Sequence, residues 1–236
     1  MQISFFFPAY YDEATVEPLA LLADQVLAEI CTEYEVIIID DASPDKSGEV
    51  ADRVAGKNQR IRVIHHEKNL GYGRVLQTGI RESKYEWIAF TDGDMQYDVR
   101  ELPRLAAEAY KGAKIVAGYK MSRADGWKRE LTSALYNNTI QILFGMKLRD
   151  ADCAFKLMHR SIFEDFKPSL DYKEAFLLVE AFYRAQRKGT KIVQVPVSHR
   201  PRPYGDSSCF SWRTARRMAW YALRGAVFGR VLGGWK

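Results

Sequence analysis

The sequence predicts an α/β fold with a mainly parallel sheet and flanking helices. Three observations carry that expectation. Short apolar runs recur at residues 3–7, 35–41, 61–65 and from 87 onward; the stretches between them carry helical patterns; and polar clusters close three of these runs, Asp12 with Glu13, Asp40 with Asp41, and Asp92 with Asp94. Strands alternating with helices of this length imply crossover connections and hence parallel pairing. Parallel strands place their C-terminal ends on one edge, so the three clusters are expected to gather there.

Residues 3–7 form the first strand, ended by Pro8, and the helical pattern from about residue 15 to 31 follows the loop 9–13. The second strand closes on Asp40 and Asp41. Ser43-Pro44-Asp45 then reads as a helix start, with a polar cap and proline in the first turn. Strand three covers residues 61–65. Asn69-Leu70-Gly71-Tyr72-Gly73 is a turn feeding a helix to about residue 83, a plain helix cap that lacks the spacing of a dinucleotide or phosphate loop. Further on, residues 114–118 read as a strand, 130–144 as a helix, 162–166 and 174–188 as helical patterns, and 191–197 as a late strand running into the Pro- and Gly-rich loop 199–207.

With 236 residues and 47% hydrophobic content the chain can bury a sizeable core. It shows no internal repeat or low-complexity linker, and its start reads as a strand, without the basic region and cleavage site of a signal peptide. No apolar stretch approaches bilayer-spanning length. Cys31, Cys153 and Cys209 match no zinc or redox spacing, which implies reduced thiols and a cytoplasmic setting. The net charge of +5 is unevenly spread: after Asp206, six Lys or Arg residues occur with no acid, leaving the remainder close to neutral. Residues 1–206 are therefore expected to form one mixed domain and 207–236 a basic helical tail. Placed on a helix, Arg213, Arg217 and Arg224 fall within roughly 40° of one another, beside a face carrying Phe210, Tyr221, Phe228 and Leu232. An anionic membrane surface is the expected partner of that tail, set against the alternative that its aromatic face packs on the domain. A nucleic-acid partner is not expected, because the basic residues are confined to the tail and no recognised motif is present.

The segment Trp87-Ile88-Ala89-Phe90-Thr91-Asp92-Gly93-Asp94-Met95-Gln96 is the centre of the chemistry. Ligands of open α/β sheets bind beyond the carboxyl ends of the strands. Asp-x-Asp at such an end offers hard oxygen ligands suited to Mg²⁺ or Mn²⁺ holding a substrate diphosphate. A polar turn is the alternative reading of the same residues.

Taken together, Pro8-Ala9-Tyr10 with Glu13, Asp40-Asp41-Ala42-Ser43, Asn69-Leu70-Gly71-Tyr72-Gly73 and Asp92-Gly93-Asp94-Met95-Gln96 resemble inverting glycosyltransferases of the GT-A fold. The resemblance is to the branch of dolichol-phosphate mannose synthase and polyprenyl-phosphate glycosyltransferases. It extends through Asp150-Ala151-Asp152-Cys153-Ala154-Phe155-Lys156, Glu180 nine residues before Gly189, Val195-Pro196-Val197, and Arg202-Pro203-Tyr204-Gly205-Asp206-Ser207.

The resemblance implies a Rossmann-like GT-A domain acting on a nucleotide-diphosphate sugar donor and a lipid-phosphate acceptor, at the cytoplasmic face of a membrane. Pro8, Tyr10, Glu13 and Asp40 would line the nucleotide pocket. Asp92, Asp94 and Gln96 would hold Mg²⁺ or Mn²⁺ and the diphosphate. Arg200, Arg202 and Ser207 would contact phosphates, and Arg123 and Arg129 are candidates for the anionic acceptor. Asp152, with Asp150, is the candidate base for an alcohol acceptor; a lipid phosphate, already ionised near neutral pH, would need none. Two departures stand out: Ala154 where glycine is usual, and Ser208 where a lysine commonly follows the loop serine. A transferase acting on a glycan or protein hydroxyl, and a non-catalytic nucleotide-sugar-binding module, are the competing functional classes.

Overall fold

The computed structural model describes residues 1–121, 127–146, 148–164, 176–204, 212–225 and 227. Its centre is a seven-stranded sheet made of β1 (Gln2–Ala9), β2 (Glu33–Asp40), β3 (Ile61–His65), β4 (Trp87–Phe90), β5 (Ile115–Lys120), β6 (Lys156–His159) and β7 (Ile192–Val197), in the order β3-β2-β1-β4-β6-β5-β7. All neighbours are parallel except β6, which runs antiparallel to both β4 and β5.

The pleat of β1 shows how the sequence builds three layers. Side chains alternate across a strand, so Phe5 and Phe7 enter one core and Phe6 the other. On the first face lie α1 (Val16–Ile30), α2 (Ser47–Ala55) and α4 (Leu102–Tyr110), docked by Leu19, Ala23, Val50, Val54, Leu102 and Leu105. The second face is covered by α3 (Tyr72–Glu82), α5 (Trp127–Phe144), α6 (Phe176–Arg187) and α7 (Trp212–Gly225), through Val75, Leu76, Ile140, Phe144, Phe182 and Tyr221.

Three local expectations need correction. Pro8 does not end β1: it pairs with Ile39 inside the strand. Alternation turns Pro8 to the same side as Phe6, toward β4, and pairing with β4 stops at Phe6 opposite Phe90, so the missing N–H of proline removes no ladder bond. Helix α2 starts at Ser47 instead of Ser43, because Asp45 accepts from the Ser47 N–H and takes over the start. Of the helical pattern at 162–166, only a 3₁₀ turn, Arg160–Ile162, falls within the described residues.

Strand β6 was not anticipated. Four residues beginning with a lysine give no periodic signal, yet they fill the gap between β4 and β5, with Lys156 opposite both Phe90 and Ala117. Running backwards, β6 puts its start, and the segment 150–155 before it, on the edge where the other six strands end.

Candidate active site

That edge collects the loops after β1, β2 and β4, the end of β5, the segment before β6 and the loop after β7. Three residues that are not glycine adopt left-handed backbone there: Tyr11 (φ 59°), Ala42 (φ 54°) and Met95 (φ 59°), one beyond each of β1, β2 and β4. Non-glycine residues rarely take this conformation, and such strain concentrates at functional loops.

Gly93 locks two of these loops together. A Cβ at Gly93 would stand 2.1 Å from the Pro8 carbonyl oxygen and 2.9 Å from Asp12 Oδ2, so only glycine lets them approach. The contact brings Asp12 toward Asp94. The Asp94 carboxylate is buried; its Oδ1 accepts from the Gln96 N–H at 3.0 Å and its Oδ2 from Arg202 Nη2 at 2.8 Å. Asp92 Oδ1 accepts from the Tyr72 hydroxyl at 2.8 Å. Burial, with the Asp94 charge adding to it, pushes Asp92 up to about 7. Asp12 rises to about 6, again through burial first and with repulsion from Asp94. At these carboxylates burial and mutual repulsion outweigh the nearby Arg202 and Lys120 charges, the balance that shifts a buried acid upward.

Across the edge, Lys120 at the end of β5 lies 3.5 Å from Asp150 Oδ2 and 3.7 Å from Asp152 Oδ2, and its charge also bears on Asp92. Asp150 is buried and accepts from the Asp152 N–H at 3.2 Å, while the Asp152 side chain remains 47% exposed. The segment is fixed from beneath. Asn137 accepts from the Ala151 N–H, Tyr97 from the Ala154 N–H, and the fully buried Lys156 ammonium donates to the Cys153 carbonyl.

The loop after β7 is tied to the Asp92–Gln96 segment itself. Gln96 Nε2 donates to the Arg200 carbonyl at 3.0 Å, the Arg200 N–H donates to the Gln96 carbonyl at 2.8 Å, and Tyr97 forms a bridge with His199. Ser198 is anchored on Glu101. The expected residues Asp92, Asp94, Asp150, Asp152 and Arg202 are thus assembled on one edge. The Gln96 amide is turned to the loop backbone, and Arg200 reaches Asp98 at 2.7 Å.

Asp40 and Asp41 are largely engaged within the protein. Asp40 accepts from the Ser43 N–H and pairs with His65 Nδ1 at 2.9 Å; Asp41 holds His66 at 2.6 Å and accepts from the Leu70 and Gly71 N–H groups. They shape the rim between β2 and α3. Pro8 stands near the end of β1, and Tyr10 and Glu13 lie in the loop after it, where Glu13 accepts from the Lys46 N–H and Tyr10 packs edge-on against Tyr11. Arg123 and Ser207 lie outside the described residues, and Arg129 is placed on α5 by its backbone alone.

Sequence reasoning missed Lys120 and Tyr72, and it counted Asp12 as a strand-end cluster without giving it a role. Lys120 carries the same signal as the aspartates, a charged residue just past an apolar run, but no motif surrounds it.

A family model for glycosyl transferase family 2 matches residues 4–167. Glycosyltransferase AglD of Haloferax volcanii is 27% identical over 219 residues, 88% of this chain and 34% of that protein. The undecaprenyl-phosphate 4-deoxy-4-formamido-L-arabinose transferases of Aeromonas hydrophila and Proteus mirabilis are 27% and 26% identical over 206 and 207 residues, 87% of this chain and 62% of each relative. The chain therefore spans less than two thirds of the length of these relatives. Among solved structures, glucosyl-3-phosphoglycerate synthase of Mycobacterium tuberculosis aligns with a TM-score of 0.67 at 18% identity, over 97% of this chain and 80% of that one. The same enzyme in complex with Mn²⁺, UDP and glucosyl-3-phosphoglycerate gives 0.64 at 18% identity, over 97% and 79%; these likenesses bear on the fold, which is that of GT-A glycosyltransferases. With the family model covering well over half of the sequence, the chain belongs to glycosyl transferase family 2.

Proposed function

We propose that this protein transfers a sugar, with inversion, from a nucleoside diphosphate donor to a polyprenyl phosphate. The observation that carries the reading is the convergence of Asp12, Asp92 and Asp94 with Arg202 and Lys120 on one sheet edge. Named relatives support the acceptor class, since two of them are undecaprenyl-phosphate transferases.

The donor set fits Mg²⁺ or Mn²⁺: hard carboxylate oxygens of Asp92 and Asp94 in a poorly solvated place. Among the described residues no group of three or more His, Cys, Asp or Glu side chains is placed to hold a cation alone, so this reading needs oxygens of the substrate diphosphate to complete the site. Asp94 and Asp92 would hold the cation, which when bound offsets charge on the departing diphosphate. The Arg202 fork suits the diphosphate oxygens. Lys120 would orient the acceptor phosphate, an oxygen of which attacks the anomeric carbon as its bond to the diphosphate breaks. Since that phosphate arrives ionised, Asp152 has no proton to take; for a hydroxyl acceptor it would be the base, and its partial exposure leaves room for that second reading.

We further infer that residues 1–206 are the catalytic unit and that the tail from 207 rests on a membrane surface at its cytoplasmic face. Helix α7 is packed on α6 by Tyr221, stacked on Phe176 at 5.8 Å, leaving Arg216, Trp220, Leu223 and Arg224 exposed. No helix among the described residues is long and apolar enough to cross a membrane.

The decisive experiment incubates the protein with Mg²⁺ or Mn²⁺ and a panel of UDP-, GDP- and dTDP-sugars, with and without polyprenyl phosphate. Nucleoside diphosphate release that depends on the lipid phosphate is expected. Release that requires a soluble glycan or hydroxyl acceptor instead would move the protein to the second reading, and binding without release under any condition would make it a sensor.

A further inference from the structure

The Arg202–Asp94 pair spans 108 positions of sequence and holds a candidate metal ligand at 2.8 Å. Both partners are shielded, with side chains 18% and 5% exposed. Both carboxylate oxygens of Asp94 are engaged, one by the Gln96 N–H and the other by the guanidinium. A divalent cation arriving at this carboxylate meets an arginine charge already there, in surroundings where like charges interact more strongly than in water.

We propose that Arg202 is a resident stand-in for the metal: it neutralises Asp94 in the unloaded enzyme and passes to the donor diphosphate when a divalent cation binds. This rests on the assignment of Asp94 as a metal ligand. The Asp94 charge already raises both Asp12 and Asp92, so without Arg202 the buried Asp94 carboxylate would face fellow carboxylates without the guanidinium that pairs with it, a costly state for a buried group. Once a cation takes Asp94, the guanidinium loses that carboxylate, and the diphosphate is an anion that arrives with the cation.

The loop is built for such an exchange. Residue 200 is tied by both its N–H and its carbonyl to Gln96, two residues from Asp94, and the neighbouring His199 bridges Tyr97. Pro201 and Pro203 flank Arg202 and restrict its backbone. The guanidinium thus swings from a fixed base that belongs to the metal segment itself. The consequence is mutual dependence: cation alone must displace Arg202 from Asp94, whereas cation with nucleotide also brings a diphosphate to receive it. Coupling of this kind is reciprocal.

The test is Mn²⁺ binding, followed by the electron paramagnetic resonance of free Mn²⁺, with and without UDP, for the wild type and for Arg202→Ala, Arg202→Lys and Asp94→Asn. Without UDP, Arg202→Ala should bind Mn²⁺ about tenfold or more tightly than the wild type, a shift the removal of one nearby charge readily supplies. Arg202→Lys, which keeps the charge, should stay near the wild type, and the gain on adding UDP should shrink in Arg202→Ala. If Arg202→Ala binds Mn²⁺ no more tightly than the wild type while Asp94→Asn has lost binding, the stand-in is wrong and the metal site stands. If Asp94→Asn binds as the wild type does, the metal assignment fails and the proposal with it. A measurement on the unaltered protein guards against misfolded variants: the Arg202 side-chain N–H resonances should move with Mg²⁺ plus UDP and hardly at all with Mg²⁺ alone. The same response to both additions would overturn the exchange.

Discussion

Gly93 and Pro8 touch backbone to backbone, closely enough that a Cβ on Gly93 would stand 2.1 Å from the Pro8 carbonyl oxygen. This contact sets the distance between the β1 and β4 loops, and with it the approach of Asp12 to Asp94. Gly93→Ala is therefore expected to destabilise the protein by at least the ~1–3 kcal/mol of ordinary overpacking, because the obstructing atom is backbone and has no rotamer to adopt. Chemical denaturation and UDP binding would both register the change. Wild-type values in both would show that the loops can separate at no cost.

Asp94→Asn keeps the side-chain shape while removing the charge that faces Arg202. Turnover should fall by about a hundredfold or more, on the scale of a lost electrostatic catalytic contact, with a folded protein by circular dichroism. Full activity in the presence of a chelator would remove Asp94 from the chemistry.

Arg202→Lys preserves charge and loses the planar fork. A lysine offers a point charge where a diphosphate calls for paired donors, so kcat/KM for the donor should drop by about tenfold, or ~1.4 kcal/mol. Unchanged kinetics toward donor and acceptor would leave the clamp without support.

His65 sits between Asp40 and Asp52, at 2.9 and 3.0 Å. Its hydrogen bond to Asp40 raises its pKa above the ordinary 6.5, opposed by burial and aided by Asp52. A raised folded-state value means that the imidazolium stabilises the native protein fully below pH 6.5 and that this contribution disappears as pH climbs through the raised value. An NMR titration should show His65 titrating above 6.5, and Asp52→Asn should bring it down. A His65 midpoint at or below 6.5 in the wild type would contradict the pairing.

For the tail, cosedimentation with liposomes should increase with anionic lipid and decrease with ionic strength, as screening requires. Replacing the exposed Trp220 and Leu223 of α7 by serine should weaken it further without loss of folding, since neither side chain is in the core. If the variant partitions like the wild type at every lipid composition, α7 is packing alone.

Much of the site was legible because its first half is local. Asp92 and Asp94 follow a four-residue apolar strand with Gly93 between them, and each of the strands β1 to β4 could be found from composition and punctuation. Turns were less legible: Ser43 looks like a helix cap, but its hydroxyl serves the Tyr11 N–H and Asp45, a choice made by a loop 32 residues away. Asp40 and Asp41 shared the strand-end signal of Asp92, yet their carboxylates are spent on His65, His66 and the 70–71 backbone.

By itself, then, the sequence determined the α/β class, the parallel order of crossovers through β4 and the edge at which carboxylates would appear, because periodicity, apolar runs and strand-ending residues act over a few positions. The tertiary structure alone decided that a four-residue strand would reverse direction between β4 and β5, delivering Asp150 and Asp152 to the edge beside Lys120. It alone set Arg202 on Asp94. Those placements depend on which distant backbones pair and on which opposite charges are buried together, free energies that belong to contacts 30 to 108 positions apart and leave no periodic trace in the chain.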